Sequence, residues 1–408
     1  MTYLIVTPFF PLPGHWWGGY VYDQTSAIID TGKFDRVIVL RTMPLFKTFD
    51  YECEGITVYG LPFISMPSSI FNSNCIQKKV NVLLLQKTLR RIGIKMEEVN
   101  FVHMHVSITS LFSEFFKKKN KKITTLLQHH DLDPYGINTG KFSSYRWHVN
   151  FNAHQAINNY KYVDCHLCIS EACKSNLINF PNIRKGETYK SYIDKVRKYK
   201  GPNPKINNCY ILYNGVNDKI FYKKELAKSK YFTIGCIGGF SEIKNQITLI
   251  KAIEWMINKG YCQVRLRLIG TGQKRQECER YVNEHSLSKF ILFDETCSHE
   301  KLIDFYNSID LFCLPSYYEG FGCVFTEAYA CGIPFITCRY QGVEELLDIK
   351  DRQNFMIEDP KDYVSLANLI IRYMKEKPEF KIIGSFKISE LINKYCNWLI
   401  DNYELKKI

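Results

Sequence analysis

The chain has 408 residues, 46% apolar and 23% charged, which is globular composition and too long for one comfortable core, so two domains of about 200 residues each are expected. No run of about 18 apolar residues occurs, so no membrane-spanning helix is expected. The net charge of +13 is uneven: residues 1–200 hold 26 Lys and Arg against 15 Asp and Glu, and residues 201–408 hold 28 against 26. The basic first half suits an anionic lipid surface or a phosphorylated partner, and no nucleic-acid-binding module is recognisable.

In chain order, the N-terminus carries no basic leader and meets Pro8 early, so it reads as a first strand, Tyr3–Thr7, and not as a signal peptide. A loop with Trp16, Trp17, Gly18 and Gly19 then opens a helix from Val21. Further strand-like runs in the first half are Arg36–Leu40, Phe101–His105, Ile123–Leu127 and Val163–Ile169. Clusters at 117–119 and 121–122 and the stretch Arg184 to Lys200 carry most of the excess charge, and 182–200 reads as a helical basic insertion. Lys198 to Asn208 has linker composition. The second half gives strands at Cys209–Tyr213, Phe232–Ile237, Val264–Ile269, Phe290–Phe293, Asp310–Leu314 and Pro334–Thr337, and then a last helix near Ser385–Tyr403 with Leu391, Ile392, Tyr395, Trp398 and Leu399 at helical spacing. Strands alternating with helices imply α/β architecture with one doubly wound parallel sheet per half, and a ligand cleft at the carboxyl ends of the strands. The expected domains are 1–205, 206–384 and a terminal segment 385–408.

Fifteen cysteines, an odd count, lie mostly in apolar segments, which suggests reduced thiols and a cytoplasmic setting. Cys165-x-x-Cys168 has no second pair at zinc spacing and sits inside a strand-like run.

Residues 315–334 carry the most chemistry. A strand enters a glycine turn, a short helix follows, and Gly332 and Pro334 end it. Glu319 precedes the helix and Glu327 lies within it. Unpaired N–H groups at the helix start, between the two carboxylates, suit an anionic group flanked by hydroxyls, the pattern of a nucleotide sugar. Earlier, Gly238-Gly239 follows a strand and Lys244-Asn245 opens a helix, which places a cation and close-approaching backbone beside a phosphate. His129-His130-Asp131-Leu132-Asp133-Pro134 follows the Ile123 strand.

The Glu319-x7-Glu327 pattern, followed by Ala328-x-Ala330-x-Gly332-x-Pro334, resembles the signature of family 4 retaining glycosyltransferases, the glycosyl transferases group 1 with the GT-B fold. The resemblance implies two Rossmann-like domains facing across a cleft, with the final helix crossing back onto the first. It implies transfer of a hexose-type sugar, with retention, from a nucleotide diphosphate donor (a UDP- or GDP-sugar) to a hydroxyl of a glycan or lipid-linked acceptor. By that resemblance His130, Glu319 and Lys244 are catalytic. Gly19, Gly238, Gly239, Lys244, Gly270, Glu319, Gly320, Phe321, Gly322, Cys323, Val324 and Glu327 line the donor, and Gly18, Trp16 and Trp17 face the acceptor, where the indoles could stack on a sugar. No metal or other cofactor is expected, although Asp131-x-Asp133 has the form of a metal-binding triplet. The expected location is cytoplasmic, peripheral on a membrane face. Two departures stand out: Gly239 replaces an arginine that pairs with the diphosphate, and Asp294-Glu295 replaces a glycine near the base. Alternatives are a sugar-nucleotide epimerase or phosphorylase on the same fold, or an inactive binding subunit.

Overall fold

The computed structural model describes residues 1–14, 16–64, 73–130, 133, 155–178, 206, 208–225 and 229–404. The basic insertion at 182–200, most of the linker, His15, and Asp131 and Leu132 lie outside the described residues.

The first sheet has eight strands: β1 (Thr2–Thr7), β2 (Arg36–Pro44), β3 (Tyr51–Cys53), β4 (Ile56–Phe63), β5 (Val99–His105), β6 (Thr124–His129), β7 (Cys165–Cys168) and β8 (Cys209–Ile211). Their order is β3-β4-β2-β1-β5-β6-β7-β8, all parallel except the β3–β4 hairpin. The second sheet has β9 (Phe232–Ile237), β10 (Val264–Ile269), β11 (Ile291–Asp294), β12 (Leu311–Cys313), β13 (Phe335–Cys338) and β14 (Met356–Ile357), in the order β11-β10-β9-β12-β13-β14. Strand order reverses between β9 and β12, so the loops leaving these two strands diverge and leave a crevice at their carboxyl ends. The same reversal occurs between β1 and β5. β1, β5 and β6 are buried on both faces almost throughout, as strands covered by helices on each side must be.

One strand was misplaced by sequence. Cys209–Ile211 belongs to the first sheet, paired with β7 through His166–Cys209 and Cys168–Ile211, and not to the second half. A three-residue edge strand carries too little pattern to show which neighbour it bonds. The hairpin strand β3, its partner β4 and the two-residue β14 also gave no sequence signal.

The helix Ile388–Tyr403 lies on the first domain, where Tyr395 Oη meets Tyr3 Oη at 2.9 Å and Trp398 stacks on Tyr210. The chain enters this helix beside its earlier crossing: Val216 N–H donates to Phe386 O (2.7 Å) and Ile388 N–H to Val216 O (2.9 Å). Cys165 and Cys168 face opposite sides of β7, into two different cores, so the CxxC pair does not converge. Lys117 and Lys118 are held in ion pairs with Asp164 and Glu114, so part of the expected basic face is already neutralised.

Candidate active site at the interdomain cleft

The turn after β12 carries Glu319 and the turn after β9 carries Lys244, so the reversal point brings them together. Lys244 Nζ lies 2.7 and 2.8 Å from the two carboxylate oxygens of Glu319. Ser316 Oγ donates to Glu319 Oε1 at 2.5 Å. Glu319 is only 6% exposed, and a buried carboxylate needs this kind of pairing. Asn245, at positive φ, ties the two turns: its Nδ2 donates to Pro315 O and Pro360 O. Tyr317 N–H donates to Ile243 O at 2.7 Å. These bonds hold the Lys244 turn against the Glu319 turn independently of the ion pair.

The helix Cys323–Ala330 begins directly after this turn, with Gly322 at its start in the left-handed region. Cys323 and Val324 therefore present their N–H groups at the helix N-terminus, while Phe321 is buried against Tyr213 and Phe386 and serves packing. Glu327 sits on the same helix with both oxygens engaged, by Tyr306 Oη at 2.7 Å and His299 Nε2 at 3.4 Å. Burial disfavours charge on His299, but Glu327, Asp23 and Glu300 outweigh it and raise its pKa. Neither His299 nor Tyr306 was foreseen, since nothing in sequence links them to Glu327. Gly238 and Gly270 form a second close approach: a Cβ on Gly270 would lie 2.1 Å from Gly238 O. Gly239 has room for a side chain, with only Thr271 O near its Cβ position at 3.6 Å, so the missing arginine is not a steric consequence. The guanidinium of Arg275 lies against this loop, 5.8 Å from the Phe240 ring, but is bonded to Gly270 O and Glu279.

The first domain supplies the facing wall. His130 follows β6 and packs against Tyr20, next to Gly18 and Gly19 at the start of the helix Gly19–Asp30 (ring centroids 5.0 Å). His105 Nδ1 meets His130 Nε2 at 3.1 Å, with the rings stacked. Burial, then His103 and His129, push His130 down to about 3, so both imidazoles are neutral. Among the described residues His105 Nε2 is buried without a partner. A buried orphan N–H costs more than a buried lone pair, so His105 carries its proton on Nδ1 and donates it to His130. His130 then keeps its own proton on Nδ1. The neighbouring His129 turns away, to Asp133 and His166, which separates the roles of the two adjacent histidines. Asp133 is itself spent on Ser107 and His129.

Contacts across the cleft are direct. Ser170, just after β7, donates to Gly320 O at 2.6 Å. Glu345 accepts from the N–H groups of Glu171 and Ala172. Asn217 donates to Asp23 at 3.0 Å. Trp16 stacks on His299 (5.8 Å, 17°), so one of its faces is taken by the opposite domain and is closed to a sugar. Trp17 is 64% exposed and packs edge-on to Phe9.

Residues 218–385 match the model of the family Glycosyl transferases group 1. The capsular polysaccharide biosynthesis glycosyltransferase CapM of Staphylococcus aureus is 26% identical over 190 residues, covering 45% of this chain and 47% of that protein, about half its length. The phosphatidylinositol N-acetylglucosaminyltransferase GPI3 subunit of Saccharomyces cerevisiae is 21% identical over 381 residues, covering 93% of this chain and 76% of that protein. Among solved structures, sucrose-phosphate synthase from Thermosynechococcus elongatus superposes with TM-score 0.66 at 16% identity, covering 100% of this chain and 97% of that one. HepE of Anabaena, solved in complex with UDP, superposes with TM-score 0.68 at 16% identity, covering 98% and 100%. The fold is GT-B, and the second domain of this chain is a glycosyl transferases group 1 domain.

Proposed function

We propose that this protein is a retaining glycosyltransferase that moves a hexose-type sugar from a nucleotide diphosphate donor to a hydroxyl of a glycan or lipid-linked acceptor. The observation that carries the reading is the Lys244–Glu319 pair at the reversal point of the second sheet, beside a helix N-terminus. The departing diphosphate needs positive charge in a place from which water is excluded, and Lys244 with the N–H groups of Cys323 and Val324 would supply it. Glu319 would share Lys244 with the phosphate and orient the sugar hydroxyls, and Glu327 would hold the ribose diol. His130, from the facing domain, would donate its Nδ1 proton as a hydrogen bond to the sugar near the anomeric carbon.

In the transfer, the bond from the anomeric carbon to the phosphate oxygen breaks and a bond to the acceptor oxygen forms on the same face. The acceptor proton passes to the leaving phosphate, so no separate base is required. Lysine and the helix start do the work that a divalent metal does elsewhere, which supports a metal-independent reaction. UDP is the favoured nucleotide because related solved proteins hold it. The basic first half supports action at an anionic membrane face from the cytoplasmic side, and among the described residues no helix is long and apolar enough to cross a membrane. One observation favours a second reading, an inactive nucleotide-binding subunit: Gly239 leaves the diphosphate one cation short.

A thermal-shift titration with UDP, GDP, ADP and CDP tests both. Ligand at about a hundred times its dissociation constant adds roughly 2.7 kcal/mol, enough to raise Tm by several degrees. One nucleotide is expected to stabilise the protein, and Lys244→Ala to abolish the shift and lower kcat/KM by about 10²–10³. An unshifted Tm with every nucleotide removes the transferase reading. A shift without turnover selects the inactive subunit.

A further inference from the structure

The helix Ser73–Arg91 covers the first sheet with one face and leaves the other to solvent. Its inner face, with Gln77, Asn81, Leu85, Thr88 and Leu89, is buried over β4. Asn81 fixes the rotation of the helix: its Oδ1 accepts from Ile64 N–H at 2.8 Å and its Nδ2 donates to Ile64 O at 2.9 Å. By helical spacing, Ile76, Lys79, Val80, Leu83, Lys87 and Arg90 then fall within about 100° of arc on the opposite side.

That outer face is not the polar one that a helix on a sheet ordinarily turns to water. Ile76 is 55% exposed and Leu83 56%, with the half-buried Val80 between them. A single exposed aliphatic side chain is ordinary, but aliphatics repeated along one stripe are not. Lys79, Lys87 and Arg90 border the stripe, all exposed, and among the described residues no carboxylate pairs with them. The helix carries five cations in all and no Asp or Glu. The other two, Lys78 and Arg91, are turned to Glu114 and Asp50.

We propose that this helix face docks on an anionic lipid surface. The helix lies along the headgroups, with Ile76, Val80 and Leu83 at the acyl boundary and Lys79, Lys87 and Arg90 on lipid phosphates. Long cationic stems can follow aliphatic neighbours downward while their charged ends stay among the headgroups. A second copy of the chain fits this face poorly, because a two-fold contact sets three unpaired cations against the same three. A nucleic acid would leave the aliphatic stripe without a role, since the face offers no aromatic ring for a base to stack on. The inference gives the membrane contact of the proposed function a definite element; the docking itself does not depend on the transferase reading.

Flotation of the full chain with vesicles of phosphatidylcholine, alone or with about a third phosphatidylglycerol, tests it. The anionic vesicles are expected to bind about a hundredfold more tightly than the neutral ones. Lys79→Gln, Lys87→Gln and Arg90→Gln should each weaken that binding about fivefold, and together remove the preference. Ile76→Ser with Leu83→Ser, both at exposed positions, should weaken binding to the anionic vesicles about tenfold or more and leave Tm unchanged. Full binding by the double serine variant makes this a surface-charge effect and overturns the proposal. Equal binding of the two vesicles overturns it too, as does no binding at all. A chain that self-associates without lipid, and stops doing so in the double serine variant, gives the face to a second copy and overturns the lipid assignment. Titrating UDP into the same samples reports the nucleotide site separately. A protein that binds anionic vesicles through this helix and ignores nucleotides loses the transferase reading and keeps this one.

Discussion

His105 is fully buried, yet it decides which nitrogen of His130 carries a proton in the cleft. His105→Leu removes the donor, and His105→Asn keeps an N–H where Nδ1 now stands. The leucine variant is expected to lower kcat roughly tenfold with little change in donor KM, and the asparagine variant to recover most of the loss. A ¹⁵N spectrum of the histidines provides a readout that a packing role would leave alone: the protonated Nδ1 signal of His130 should survive in His105→Asn and disappear in His105→Leu. An unchanged signal in the leucine variant overturns the tautomer assignment. Sequence marked His130 and Lys244 because they follow a strand or open a helix, and Glu319 and Glu327 by their spacing across a strand-turn-helix. It did not mark the partners that tune them. Tyr306 and His299 meet Glu327 from 21 and 28 positions away, and Ser170 meets Gly320 from 150 positions away, and such pairings leave no local pattern.

Among the elements, the helix Cys323–Ala330 depends most on one residue. Gly322 precedes it at φ 80°, and a Cβ there would come within 2.7 Å of the Phe325 ring. Gly322→Ala is expected to cost about 1–2 kcal/mol, from left-handed strain plus displacement of a core phenylalanine. The loss is readable as a lower urea midpoint at unchanged slope. An unchanged midpoint removes the claim of strain. The central strands of both sheets were legible because strands buried on both faces read as continuous apolar runs. Strands β3 and β14 were not, since two or three residues at a sheet edge or in a hairpin have neither length nor alternation, and β8 was legible as a strand but not as a member of the first sheet. The α/β class and the cleft location followed from the alternation of elements, but the strand orders did not, because hydrogen-bonded neighbours are chosen by tertiary packing.

Taken as a whole, the molecule buries more imidazole than it can charge. Burial depresses His103 and His130 to about 3 and moves His105 and His166 well below the usual value. These groups are neutral in the fold and take up protons near pH 6.5 when unfolded. Their contribution is therefore complete above pH 7 and is lost as pH falls from 6.5 toward 3, at up to about 1.4 kcal/mol per pH unit for each independent group. His299 has the opposite sign: its raised value contributes below pH 6.5 and fades as pH rises through the folded value. Four groups outweigh one. The urea midpoint should stay nearly level from pH 8 to 7 and drop steeply between 6.5 and 5. A level midpoint at pH 5.5 sinks the claim.

The adjacent crossings at Val216 and Phe386–Ile388 also have a mechanical meaning. A single connecting thread lets two bodies both swing and twist, but two threads bonded side by side behave as a strap with breadth. Such a strap bends across its width far more readily than it turns about its length. The cleft can then widen as a book does, by separation of its covers, while the pages keep their alignment. His130 and Glu319 would part and meet again in the same register at each opening, which is the requirement when one wall holds the group being moved and the other aims at it.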